Sequence, residues 1–291
     1  MRDITDTGQT GGYQVLDKLG EGATAQVYLV RSPDDRKMYA LKYSPHTDRL
    51  MAESAILGRL HHPCFPCRTA DGRTAEGAYL VMEYIPGITL QQLMEQYPAG
   101  MPERMAAGIG LDVAAGIAWM HRCQPALIYR DMKAANVMIT PEGRARLVDL
   151  GAAVCGVGAQ EKSCCAGTHG YSAPEQFWEG VKVTPACDVY GLGKLLAFML
   201  TGQDPAKPPY DTMEYCRRHC GIRRPFQQLL VKCLQPDPQL RYPDASFLLP
   251  LLEGLKTGKK HIGDRKHSKK RNRITCRYIK CIWMSEYERI F

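Results

Sequence analysis

The spacing of apolar residues changes period near Pro86-Gly87, and that change limits the fold more than any other feature. Ahead of it, Tyr13–Leu16, Gln26–Val30 and Met38–Lys42 alternate apolar and polar residues with the two-residue period of strands. Gly20-Glu21-Gly22 separates the first two runs and Ser32-Pro33-Asp34-Asp35 the next two, so the segment reads as a series of hairpins ending at Lys42. Residues 48–60 read as a helix, and a further strand pair ends in Ala78–Tyr84. Beyond the break, Ile109, Val113, Ile117 and Met120 recur at helical spacing within 102–121. Lys194–Leu200 and Phe226–Leu234 repeat that pattern. Strands first and helices after predict an α+β chain of two lobes, 13–85 and 86–255, behind a flexible leader at 1–12. A length of 291 residues suits two such units, and 45% hydrophobic against 23% charged residues excludes wholesale disorder.

Charge is unevenly distributed. From Lys256 to Phe291 there are 12 Lys+Arg and 3 Asp+Glu, which leaves 26 basic and 27 acidic residues in 1–255. A neutral body argues against a nucleic-acid-binding core. The tail reads in three ways: a solvated extension, a nucleic-acid contact, or a peripheral contact with an anionic membrane. Its basic run to Arg273, followed by Tyr278, Trp283 and Phe291, suits the membrane reading. No run of 18 apolar residues occurs, and MRDITDTGQTGG lacks a signal peptide's apolar centre, so a cytoplasmic location is expected. Reduced thiols are then expected for the 12 cysteines. Cys64-x-x-Cys67 with Cys216-x-x-x-Cys220 is a conceivable zinc set whose spacing fits no standard module.

Three groups of residues carry chemistry. Gly20-Glu21-Gly22-Ala23-Thr24-Ala25-Gln26-Val27 lies between two strands, where glycines let backbone N–H groups approach phosphate oxygens; a plain hairpin turn is the other reading. Lys42 and Glu53 are spaced for an ion pair that would hold an ammonium for a phosphate, or for an ordinary surface pair. The sharpest group is Tyr129-Arg130-Asp131-Met132-Lys133-Ala134-Ala135-Asn136 followed by Val148-Asp149-Leu150-Gly151. Asp131 would supply a carboxylate near an attacking hydroxyl, and Asn136 and Asp149 the hard oxygen ligands that Mg²⁺ takes beside substrate phosphates; three unrelated polar loop residues is the other reading.

With these motifs in order, the chain resembles the eukaryotic-type (Hanks-type) serine/threonine protein kinases from Tyr13 to about Leu255. Ala40-Leu41-Lys42, Ala173-Pro174-Glu175, Asp188-Val-Tyr-Gly-Leu-Gly193 and Arg241 extend the likeness. Gly167-Thr168-x-Gly170-Tyr171-x-Ala-Pro-Glu-Gln176 looks most like bacterial members. The resemblance implies a two-lobed kinase fold with a small β-rich N-lobe and a larger helical C-lobe. It implies ATP, Mg²⁺ (with Mn²⁺ as an alternative), protein substrates, and signalling by Ser/Thr phosphorylation with autophosphorylation. Asp131 would take the hydroxyl proton, Lys133 would neutralise the γ-phosphate, and Asn136 and Asp149 would hold the metal. Gly20, Glu21, Gly22 and Ala23 would cover the phosphates, and Lys42, paired with Glu53, would hold them. Val27, Ala40 and Met138 would enclose adenine, with Met82 behind it and Glu83 to Ile85 as the hinge. Thr168 would pack near Asp131 and Lys133, Glu175 would pair with Arg241, and Asp188 would brace the catalytic loop.

The chain departs from the family pattern at three positions. Tyr129 replaces the usual His, Leu150 the usual Phe, and Ala25 a glycine. The first two imply altered packing of an apolar column with Leu57, and the third a looser phosphate contact. Arg130 implies a phosphorylated activation segment, for which Ser163 is the favoured site, and Cys164-Cys165 beside it would be a redox pair or simply small apolar residues. Two rivals stand: a pseudokinase scaffold, disfavoured by the complete Lys42, Asp131, Asn136, Asp149 set, and a small-molecule kinase, disfavoured by the Gly167–Glu175 segment.

Overall fold

The computed structural model describes residues 10–156, 167–178, 182–207 and 221–258. Ser163, Cys164-Cys165, Cys216, Cys220 and the tail from residue 259 lie outside the described residues. Five antiparallel strands form the first sheet: β1 Gln14–Glu21, β2 Gln26–Arg31, β3 Met38–Ser44, β4 Arg68–Thr74 and β5 Gly77–Glu83, in spatial order β1-β2-β3-β5-β4. The alternation seen in the sequence sorts their side chains. Ala40, Ala78, Leu80 and Met82 face helix α1 (Thr47–Leu57), while Tyr28, Val30, Leu41, Tyr43 and Val81 form a second core on the opposite face.

Several boundaries differ from expectation, among them the end of the helix read as 48–60, which stops at Leu57. β1 runs through Gly20 and Glu21, so the break is narrower than the glycine pair suggested; Gly22 N donates to Ala25 O at 2.8 Å and closes the turn. β3 continues past Lys42 to Ser44, whose hydroxyl donates to Thr24 O at 2.7 Å. Thr10, expected in a flexible leader, is fully buried, and its hydroxyl donates to Tyr13 O at 2.8 Å. A short polar segment gives no periodic signal, so this anchoring could not be read from sequence.

After Pro86-Gly87 the chain is mainly helical. Gly87, at φ 146, sits where a side chain would strike Ile139 O. The remaining strands are β6 Ile88–Thr89, β7 Leu127–Ile128, β8 Val137–Ile139, β9 Ala145–Leu147 and β10 Val154–Cys155. The helices are α2 Leu90–Met94, α3 Glu103–Arg122, α4 Ala186–Thr201, α5 Arg224–Cys233 and α6 Leu249–Thr257. α3 buries Ile109, Val113, Ile117 and Met120 against α4 and α6, as the spacing predicts. Gly110 and Gly193 allow close helix approach: a Cβ on Gly110 would lie 2.6 Å from Leu196 Cδ2. The last helix runs two residues past 255 and ends at Gly258, whose φ of 68 is the left-handed conformation that glycine adopts readily. The sheet-rich part and the helical part form the two lobes of a protein kinase fold.

The second lobe is tied from inside by two buried charges. Asp188 on α4 accepts from Tyr129 N and Arg130 N, both at 2.8 Å, and meets His121 Nε2 at 2.9 Å. Arg241 faces Glu175, with NH1–Oε1 at 2.5 Å and NH2–Oε2 at 2.8 Å, both side chains essentially unexposed. Low-dielectric surroundings make each pair costly to break.

Candidate active site

Between the lobes lies a cavity of about 1030 Å³, lined from both sides. Every site residue read from the sequence borders this cavity except Glu21 and Glu53. Gly20, Gly22, Ala23 and Val27 come from the β1–β2 hairpin, Ala40 and Lys42 from β3, and Met82, Glu83 and Ile85 from the end of β5. Asp131, Lys133, Asn136, Met138 and Asp149 come from the loops and strands of the helical lobe. Ala40 pairs with Met82 across β3 and β5, and Val27 with Lys42 across β2 and β3. Register thus places an apolar roof next to an ammonium. Glu21 stands just outside and pairs with Lys18 at 2.8 Å.

Glu53, on α1, lies behind Lys42. Its carboxylate accepts from Lys42 Nζ at 2.8 and 2.7 Å, and from Leu150 N at 3.1 Å. Lys42 Nζ also reaches Asp149 Oδ1 at 2.9 Å. Burial disfavours the ammonium, but Glu53 and Asp149 outweigh it and hold the Lys42 pKa above its ordinary value. Burial likewise disfavours the Asp149 carboxylate, and Lys42 outweighs it, so Asp149 is held below its ordinary value. Burial pushes Glu53 upward. Lys42 and Asp149 thus form an ion pair at the cavity wall, with Glu53 behind it.

The catalytic loop is assembled around Asp131. Its Oδ1 accepts from Thr168 Oγ1 at 2.7 Å, and its Oδ2 from Lys133 Nζ at 2.7 Å and Asn136 Nδ2 at 3.1 Å. Asn136 Nδ2 also donates to Asp131 O at 3.0 Å. Arg130 and Asp149, which flank the site, both adopt left-handed backbone, at φ 67 and 65. For residues with side chains this is a strained state that surrounding contacts must hold. For Arg130 they are the Asp188 bond to its N–H, its own Nε on Ala152 O at 2.8 Å, and Gln176 Nε2 on its carbonyl at 2.9 Å.

The replaced positions pack rather than leave gaps. Leu57, Tyr129 and Leu150 belong to one core cluster and are at most 4% exposed. Tyr129 OH donates to Val148 O at 2.8 Å, and Val148 N donates to Asn136 O at 2.9 Å, so both backbone polar groups of the residue before Asp149 are held. Burial raises the Tyr129 phenol well above its ordinary value and keeps it a donor. Ala25 is 7% exposed, its methyl group turned inward.

Two contributors carry no motif. Arg146 on β9 grips Glu83 at the hinge through two bonds, of 2.6 and 2.7 Å, and donates to Phe65 O at 2.6 Å. Burial works against the Glu83 carboxylate, but Arg146 outweighs it and holds its pKa low. Arg49 on α1 lines the cavity and donates to Gly151 O at 3.3 Å. Its spacing of four from Glu53, which puts both on one helix face, was the available signal. Of the cysteine set whose spacing fits no standard zinc module, one half lies within the described residues: Cys64 is buried and Cys67 exposed.

A family model for the protein kinase domain matches residues 13–248. The chain belongs to the protein kinase family. Among curated proteins, the kinase domain is 31% identical over 66% of the chain to the receptor protein-tyrosine kinase CEPR2 of Arabidopsis thaliana. It is 29% identical over 80% of the chain to the serine/threonine-protein kinase PknB of Mycobacterium leprae. A third relative, the probable serine/threonine-protein kinase PkwA of Thermomonospora curvata, is 28% identical over 84% of the chain. The chain spans 21%, 41% and 34% of these three relatives' own lengths. The kinase domain is of the bacterial-like Hanks serine/threonine type, a family that uses ATP and a divalent metal. Among the described residues, no helix is long and apolar enough to cross a membrane.

Proposed function

We propose that this kinase transfers the γ-phosphoryl group of ATP to Ser and Thr hydroxyls of proteins, its own included. The observation that carries the reading is the position of Asp131. Its two oxygens are oriented by Thr168, Lys133 and Asn136, in the same cavity that holds the Lys42–Asp149 pair. Asp131 receives the substrate proton as the hydroxyl oxygen bonds to phosphorus and the β–γ bridging bond breaks. Lys133, 2.7 Å from Asp131, neutralises charge on the transferred group, and Lys42 holds the other phosphates. The glycine-loop residues Gly20 to Ala23 cover them. Val27, Ala40, Met82 and Met138 supply the apolar surfaces for adenine, and the Glu83–Ile85 backbone its polar edge.

The residues present fit a hard divalent cation. The bonds recorded from the Asn136 amide are donated by its nitrogen, which leaves the oxygen as a ligand, and Asp149 keeps a side chain that is 45% exposed. Asn136 and Asp149 would hold Mg²⁺, or Mn²⁺ in its place, and the bound ion would neutralise phosphate oxygens. Most of the protein's work is positioning, which is why groups on five separate segments are locked by hydrogen bonds.

Thr168 and Lys133 favour Ser/Thr over Tyr acceptors in this reading, and Ser163 is the proposed autophosphorylation site. Phosphate transfer to a protein acceptor tests the assignment. Wild type labels the acceptor and Asp131→Asn does not; equal labelling by both would refute it. Modification elsewhere with Ser163 untouched would refute the site. The kinase body is proposed to span 13–255 with lobes meeting at 85–86, preceded by the 1–12 leader and followed by the basic tail. The tail's attachment to anionic membrane rests on its sequence, and sedimentation with anionic vesicles at low salt tests it.

A further inference from the structure

Helix α1 contacts the 149–151 turn at two peptide units, 149–150 and 151–152, on either side of the 150–151 unit. Glu53 accepts from Leu150 N at 3.1 Å, and one helical turn earlier Arg49 donates from Nε to Gly151 O at 3.3 Å. The same Gly151 peptide unit's neighbour on the chain is aimed inward: Gly151 N donates to Asp149 Oδ1 at 3.0 Å. A Cβ on Gly151 would lie 3.1 Å from Asp149 Oδ1, 3.3 Å from Glu53 Oε2 and 3.6 Å from Lys42 Nζ, so this residue sits directly against those three side chains. Asp149 itself holds a strained φ of 65 and depends on such contacts for its direction. Among the described residues no carboxylate pairs with Arg49, so its side chain is not committed to another partner of opposite charge.

We propose that Arg49 is a positioning residue for Asp149: by holding the Gly151 carbonyl to α1 it fixes the orientation of the metal-holding carboxylate. The inference rests on the kinase reading of the cavity.

The test compares full-length wild type, Arg49→Met, which loses the donor, and Arg49→Lys, which keeps one. The first readout is amide hydrogen exchange of the segment 148–154 without nucleotide or metal. The second is Mn²⁺ binding in the presence of ADP, read by calorimetry. Losing one exposed hydrogen bond is expected to speed exchange and raise half-saturating Mn²⁺ by about three- to tenfold in Arg49→Met. Arg49→Lys is expected to lie within about twofold of wild type. Thermal midpoints are measured alongside, so that a general loss of stability is recognised by faster exchange across α3 and α4 as well. Unchanged exchange at 148–154 and unchanged Mn²⁺ binding in Arg49→Met would overturn the proposal, as would changes spread evenly over the whole chain. Asp149→Asn separates the two levels: if it binds Mn²⁺–ADP as well as wild type does, the cavity reading itself fails.

Discussion

Arg241→Met would remove the cation that faces Glu175 in the interior of the helical lobe. The structure sets the size of the effect. The two side chains are 0% and 2% exposed and meet through two parallel bonds. Arg241 also donates to Gln235 O at 2.7 Å, Pro236 O at 2.9 Å and Ala186 O at 3.1 Å, and lies 4.8 Å over the Tyr190 ring. Methionine fills the volume but leaves a carboxylate and three carbonyls without that donor. Breaking one side of such a buried pair costs about 3–5 kcal/mol. For a chain of this size, at roughly 2–4 °C per kcal/mol, the thermal midpoint should fall by about 6–20 °C. Urea unfolding of wild type, Arg241→Met, Glu175→Gln and the double variant measures it. The double variant should cost less than the two single changes added together, by about 1–3 kcal/mol, because it leaves no lone charge. Single variants within about 1 kcal/mol of wild type, or strictly additive costs, would refute the buried-pair argument.

Other consequences are equally direct. Tyr129→Phe keeps the apolar column but strands Val148 O, and should destabilise the chain by about 1–3 kcal/mol in the same urea assay. Glu83 is held below the ordinary 4.5, so its pair with Arg146 contributes stability above that pH and loses it as pH falls through the lower folded value. The gap in urea midpoint between wild type and Glu83→Gln should therefore hold from pH 8 to about 5 and close on further acidification. Burial pushes the Cys64 thiol up to about 12, while Cys67 is exposed. Alkylation mapped by mass spectrometry should label Cys67 in the folded chain and Cys64 only after unfolding.

Periodicity and punctuation made the sheet and the main helices legible, and the Asp131, Asn136 and Asp149 spacing marked residues that the fold gathers in one cavity. Lys42–Glu53 was legible from its spacing, and Glu175–Arg241 and the Asp188 brace through the resemblance, but other polar ties were not, because they join residues far apart in sequence that share no pattern. Arg146 is 63 residues from Glu83, and Asp188 is 67 from His121. Thr10 is likewise fully buried although its own polar segment gives no periodic signal. The left-handed backbone at Arg130 and Asp149 had no signal either, since neither is glycine. Local order comes from local composition, whereas the exact aim of the site comes from tertiary contacts that hold strained residues in place.

The central claim is that Lys42, Asp131, Asn136 and Asp149 together grip a metal–nucleotide in the cleft. Calorimetric titration of the folded chain with MgATP tests it most directly. The account predicts saturable binding below about 1 mM, weakened at least tenfold in Lys42→Met. No heat of binding at millimolar MgATP, or equal affinity in wild type and Lys42→Met, would contradict it.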